Sequence, residues 1–180
     1  MFSNKFTLKI IATFTVVIAL ASCSDRKAST VSAQTQTQTQ TQSTKSHSIV
    51  LDIYKSPTCG CCKKWISHIN ENGFESKVHS DQNFSFIKDK KGIEPRYRSC
   101  HTAISNDGYV FEGHVPAKFI QQFMKEIHAD DVIGLSVPAM PVGTPGMEVD
   151  DKFQPYRVLL LKSDGTYKIY AKVESYEEQF

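Results

Sequence analysis

With 180 residues, 21 lysines and arginines against 19 aspartates and glutamates, the chain is one domain's worth of sequence with no large charge excess. A dedicated nucleic-acid binder carries a strong positive balance, so nucleic acid is excluded as the expected partner. Even the formal +2 comes from the N-terminal segment: residues 1–22 hold Lys5 and Lys9 and no acid, and without them each sign numbers 19.

Residues 1–22 read as a secretory signal peptide. Lys5 and Lys9 form a basic start, and Ile10 to Leu20 form an apolar run of 11 residues, too short for a hydrocarbon core of about 30 Å. Leu20-Ala21-Ser22-Cys23 resembles the bacterial lipobox, which implies that Cys23 becomes the first mature residue and carries a lipid. The expected setting is the bacterial cell envelope, with the folded domain in the periplasm. Ser24 in place of Asp favours the outer membrane by the same resemblance. Residues 24–47 are polar, with alternating Thr-Gln from Thr35 to Gln42, and lack the apolar surface that offsets ordering entropy. They are expected to form, with Cys23, a flexible tether spanning about 25–30 Å as a coil.

Residues 48–180 should hold the folded domain. Ile49 to Tyr54 is a β-rich apolar run, and Ser56-Pro57-Thr58 reads as a turn into a helix over Cys59 to Asn72, with Gly73 as its stop. Cys62, Trp65, Ile66 and Ile69 share one face of that helix. Phe74 to His79 is a weaker strand, and Asn83 to Lys90 a short helix. Thr102 to Ser105 and Tyr109 to His114 flank Asn106-Asp107-Gly108, a hairpin signal. Ala117 to His128 reads as a helix with Phe119, Ile120, Phe123, Met124 and Ile127 as its apolar stripe. Val137 to Met147 is a Pro/Gly-rich loop, and Arg157 to Leu161 with Thr166 to Val173 form a last hairpin around Ser163-Asp164-Gly165. The expected fold is α/β and thioredoxin-like: a central mixed sheet flanked by helices, with an extra C-terminal β-hairpin.

Apart from Cys23, four cysteines remain: Cys59, Cys61, Cys62 and Cys100. An oxidising compartment does not leave four thiols free by default. Structural disulfides are one reading, with three pairings open, but a domain this size has little need of staples in one tetrapeptide. Thiol–disulfide chemistry is the second: Cys59 and Cys62 sit at a helix N-terminus, which favours thiolate, yet Cys61 and Cys100 are then surplus. Metal binding uses all four. Soft thiolates suit Cu(I) or Zn(II); zinc prefers two separated pairs, whereas three crowded thiolates plus one suit sulfur-bridged Cu(I) ions. His101, His114, Met140 and Met147 are further candidate copper ligands. Met124 reads as core and Trp65 as packing. His47, His68, His79 and His128 read as solvated.

Four segments carry a family resemblance: Tyr54-Lys-Ser-Pro-Thr-Cys-Gly-Cys-Cys-Lys-Lys-Trp65, Arg98-Ser-Cys-His-Thr-Ala103, Glu112-Gly-His-Val-Pro116 and Val137-Pro-Ala-Met-Pro-Val-Gly-Thr-Pro-Gly-Met-Glu148. Together, over residues 49–173, they resemble the CopG-like family of periplasmic copper-resistance proteins. The resemblance implies a thioredoxin-like, copper-binding domain with a cysteine-bridged multinuclear centre ligated by Cys59, Cys61, Cys62 and Cys100. It also implies a role in copper tolerance that extends to interconverting Cu(I) and Cu(II), with copper-efflux or copper-carrier proteins of the periplasm as partners. The lipid anchor and tether depart from the soluble form expected of that family. Two rival functions are a thiol–disulfide oxidoreductase using Cys59 and Cys62 and a Cu(I) metallochaperone; the sequence leaves open the question of catalysis.

Overall fold

A computed structural model of the chain describes residues 48–180. The expected signal peptide, lipid-bearing Cys23, tether and His47 lie outside the described residues. The first strand, β1 (Ile49–Lys55), alternates: Leu51, Ile53 and Lys55 are buried and the residues between them are half-covered. It leads through the Ser56–Thr58 turn into α1 (Gly60–Glu71), whose buried residues Cys62, Trp65 and Ile69 recur at helical spacing. The chain returns as β2 (Phe74–Ser80), parallel to β1. Next come α2 (Ser85–Lys90) and a 3₁₀ turn at Pro95–Tyr97. The hairpin falls where the Asp-Gly turn places it, as β3 (His101–Ser105) and β4 (Val110–Gly113). After α3 (Ala117–Phe123) come β5 (Val132–Val137), β6 (Tyr156–Lys162) and β7 (Tyr167–Val173).

These seven strands form one mixed sheet in the order β2-β1-β3-β4-β5-β6-β7. β1 with β2 and β4 with β5 are parallel, and the other neighbours are antiparallel. The larger core joins Trp65 and Ile69 of α1 and Phe119, Ile120 and Phe123 of α3 to Leu51, Ile53, Ala103, Phe111 and Leu135 of the sheet. A smaller cluster of Ile93, Tyr97, Val110, Leu159 and Leu161 is built around the 3₁₀ segment. Strand alternation sorts the neighbours of Cys100: Ala103 faces its register partner Phe111, and Thr102 faces Glu112. None of the described helices is long and apolar enough to cross a membrane.

Three expectations need correction. The helix expected to reach His128 ends at Phe123. The His128 ring folds back, stacks on Phe123 at 3.8 Å and donates from Nε2 to the Phe123 carbonyl at 2.8 Å, satisfying that group in place of another helical turn. Ile127 is consequently fully exposed instead of core. His68 is not simply solvated either: half-buried, it accepts the Ala117 N–H at its Nε2, 3.0 Å away, and burial lowers its pKa. Finally, the sequence reading passed over β5. Its central Gly134 weakens a strand pattern, but a Cβ there would lie 1.9 Å from the Val110 carbonyl oxygen, so glycine is what lets β5 approach β4.

Candidate metal centre

The Ser56–Thr58 turn, closed by the Cys59 N–H to the Ser56 carbonyl at 3.2 Å, sets Cys59 at the N-cap of α1. There its sulfur accepts the Cys62 N–H at 3.3 Å, in the place a serine or aspartate oxygen commonly takes. Cys59 and Cys62 are joined as a disulfide, with Cα atoms 5.4 Å apart. Cys62 points into the core with Trp65, while Cys59 and Cys61 are half-exposed. Cys61 is a free thiol with Sγ 3.5 Å from the Cys59 sulfur.

Cys100 arrives from the opposite side, at the entrance to β3. Its free thiol lies 3.5 Å from the Cys62 sulfur. The four sulfurs all fall within 4.8 Å of one another. Burial, then the neighbouring Cys61 sulfur, pushes the Cys100 pKa up to about 12. An opposing cation, such as a bound metal ion, would favour thiolate instead.

A second group shares Cys100. Its sulfur is 3.3 Å from His101 Nδ1 and 3.1 Å from His114 Nε2, and the three ligand atoms also lie within 4.8 Å of one another. His114 Nδ1 donates to the Pro145 carbonyl at 2.7 Å. That bond fixes the tautomer and aims the Nε2 lone pair at Cys100, the second-shell arrangement common to metal-ligating histidines. His101 is fully buried between the Trp65 ring at 4.3 Å and the His114 ring at 5.1 Å. Its Nε2 is buried without a hydrogen-bond partner. Burial, followed by His114, Lys88 and Lys55, drives the His101 pKa well down, and burial lowers His114 as well. Both rings are held as neutral imidazole, the form that ligates metal.

The Pro/Gly loop closes over this junction. Gly146 has φ +89°, and a Cβ there would sit 2.7 Å from the Cys61 carbonyl oxygen and 2.7 Å from the Trp65 nitrogen. The loop backbone therefore lies directly on the first turns of α1. Met147, next along, is half-buried, whereas Met140 is 46% exposed. The structure thus brings all four cysteines and both predicted histidines together and leaves Met140 nearly half exposed.

The sequence reading missed three polar residues beside Cys100: Lys88, Thr102 and Glu112, all buried and mutually bonded. Burial raises the Glu112 pKa, and Lys88, Thr102 and the Ser99 N–H pull it back. The one hint in the sequence was a glutamate within an otherwise apolar hairpin strand.

By its fold and donor atoms this is a mixed α/β protein with a sulfur- and imidazole-lined site. A family model described as "Protein of unknown function, DUF411" matches residues 97–147. No curated protein matches. Two solved structures titled "Copper resistance protein copG", forms 1 and 2, are each 36% identical to this chain with a TM-score of 0.65, covering 70% of this chain and 98% of theirs. The chain belongs to the CopG-like family of copper-resistance proteins.

Proposed function

We propose that this chain binds copper at the Cys59, Cys61, Cys62 and Cys100 sulfurs, with His101 and His114 as imidazole ligands, and serves copper tolerance from the periplasmic side of the envelope. The observation that carries the reading is the convergence of three other sulfurs and two neutral imidazoles on the Cys100 sulfur, in a chain similar to copper-resistance proteins. Shared, closely spaced thiolates suit several bridged Cu(I) ions; zinc is the weaker candidate. Two parallel-paired strands joined by α1, then the β3–β4 hairpin and α3, in the order β2-β1-β3-β4, support a thioredoxin-like core. β5, β6 and β7 extend it, where only a hairpin was expected. The Leu20-to-Cys23 motif supports a lipid anchor, at the outer membrane by Ser24.

The closed Cys59–Cys62 disulfide gives the site a redox step that balances. Reduction takes two electrons and two protons and frees two thiols; a dithiol of the periplasm is the reductant class required. In the other direction, two Cu(II) ions each take one electron from these thiols, the disulfide closes and two protons leave. Reduction of Cu(II) to Cu(I), one direction of the interconversion, is therefore within the chemistry of these residues. Efflux or copper-carrier proteins would take the product.

The test is metal stoichiometry in the full-length chain, reduced anaerobically, loaded with Cu(I) or Zn(II) and desalted. Several copper ions per chain, lost on Cys100→Ser, are expected. One retained zinc and no copper would refute the multinuclear reading. The disulfide at a helix N-terminus favours one second reading, thiol–disulfide exchange. It predicts disulfide-reductase activity that survives Cys61→Ser and Cys100→Ser, with no retained metal.

A further inference from the structure

We infer that Lys88 and Glu112 form a buried clamp that sets the position of Cys100, making both positioning residues for the copper site; the role, though not the clamp itself, rests on the copper reading. Glu112 on β4 is fully buried, and Lys88 on α2 is 5% exposed. They are paired directly, Lys88 Nζ donating to Glu112 Oε1. The remaining bonds all end on the two residues that bracket Cys100-His101. On one side, the Ser99 N–H donates to Glu112 Oε1 at 2.6 Å, and the Ser99 carbonyl accepts Lys88 Nζ at 3.3 Å. On the other, the Thr102 hydroxyl donates to Glu112 Oε2 at 2.7 Å and accepts from Lys88 Nζ at 2.9 Å.

Thr102 and Glu112 are register partners across β3 and β4, so the strand pleat directs their side chains to one face and that of His101 to the other. The clamp therefore reaches the metal side only through the backbone of Ser99 to Thr102. A buried ion pair is weak evidence for stability, because an apolar pair of similar volume commonly serves as well or better. What an apolar pair cannot do is hold both the N–H and the C=O of Ser99. A shared metal centre needs its ligands held to within about 0.5 Å, and β3 pairing begins only at His101. The clamp holds the residue immediately before Cys100, where the sheet does not.

The test uses the full-length chain with Lys88→Met and Glu112→Leu combined, so that no lone charge stays buried. The first readout is metal-free: native iodoacetamide labelling with the Cys59–Cys62 disulfide closed, resolved by peptide mass. Cys100 should label at least about tenfold faster than in wild type, with Cys61 unchanged. The second readout is Cu(I) affinity of the reduced chain by chelator competition, which should fall at least about tenfold. Val158→Ala, a cavity in the core away from the clamp, should lower thermal stability and move neither readout. If the double variant does not fold, Glu112→Gln carries the same two measurements. An unchanged Cys100 rate overturns the clamp. A faster Cys100 with undiminished copper affinity overturns its role at the site. A wild-type chain that takes up no copper refutes the copper reading, and Cys100 labelling alone then decides the clamp.

Discussion

A single methyl group at Gly146 should disturb both the fold and the candidate site. The Gly146→Ala Cβ would lie 2.7 Å from the Cys61 oxygen and the Trp65 nitrogen, both backbone atoms of α1 that cannot swing aside. Moving from 2.7 Å to 3.4 Å, where ordinary contact begins, means a loop retreat of about 0.7 Å. The preceding residue, Pro145, accepts the His114 Nδ1–H at 2.7 Å. The same retreat stretches that bond beyond the usual range of roughly 2.7–3.2 Å and frees the ring that faces Cys100. An alanine held at φ +89° costs about 1–3 kcal/mol, and the lost hydrogen bond about 1 kcal/mol. A total of about 2–4 kcal/mol is expected, a drop of about 7–14 °C in Tm for a domain this size. Gly60→Ala is the matched control: nothing lies within 4 Å of its Cβ and its backbone is unstrained, so it should be neutral or stabilise by up to about 1 kcal/mol. Calorimetry of the metal-free chain, followed by copper counting on desalted samples, checks both. Equal Tm values for the two variants would refute the assignment of Gly146 to close backbone contact. A destabilised Gly146→Ala with full copper content would refute the link from loop to His114.

Further expectations follow from the same geometry. With the Cys59–Cys62 disulfide closed, two of the four sulfurs are occupied, so the oxidised chain should retain less than half the copper of the reduced chain, and anaerobic reduction should restore it; equal retention would place copper elsewhere. Trp65 is the chain's one tryptophan and packs 4.3 Å from His101, so loading copper should quench its fluorescence by at least about half, and an unchanged spectrum would count against metal at His101. His101 and His114 have folded-state pKa values below the ordinary 6.5, chiefly through burial. The unfolded chain therefore binds protons first: the stability these neutral rings contribute is complete above pH 6.5 and is lost as pH falls from there toward the lowered folded values. Two such protons give a slope of up to about 3 kcal/mol per pH unit in the metal-free chain. Half-buried His68 adds less, being screened by water. Denaturant titrations from pH 7.5 down to 5 check this, and stability that rises on acidification would refute it.

Much of the architecture was legible from local pattern. The β1–α1–β2 unit, the Asp-Gly hairpin and the terminal hairpin each announce themselves within a few residues, through periodicity and turn chemistry. So does the candidate donor set, since Cys59-Gly60-Cys61-Cys62 and Cys100-His101 are each unusual in composition. β5 was not legible, because Gly134 is required by a strand reached through a crossover. The end of α3 was not legible either: the apolar stripe runs on to Ile127, and only the His128 ring against Phe123 stops it.

What the sequence alone determined is the inventory of donors, four soft sulfurs and a set of imidazoles, together with the helix start that presents three of those sulfurs. Tertiary structure decided how the imidazoles meet them. His101 and His114, singled out in the sequence by their neighbours, are 13 residues apart, and β3 and the end of β4 bring both to one sulfur. It also decided that Met140 is left nearly half exposed and that Lys88, Thr102 and Glu112 hold the Cys100 turn. The physical reason is the same in each case. A local pattern records which face of an element is apolar, whereas the meeting of two polar side chains depends on the register and packing of elements far apart in the chain.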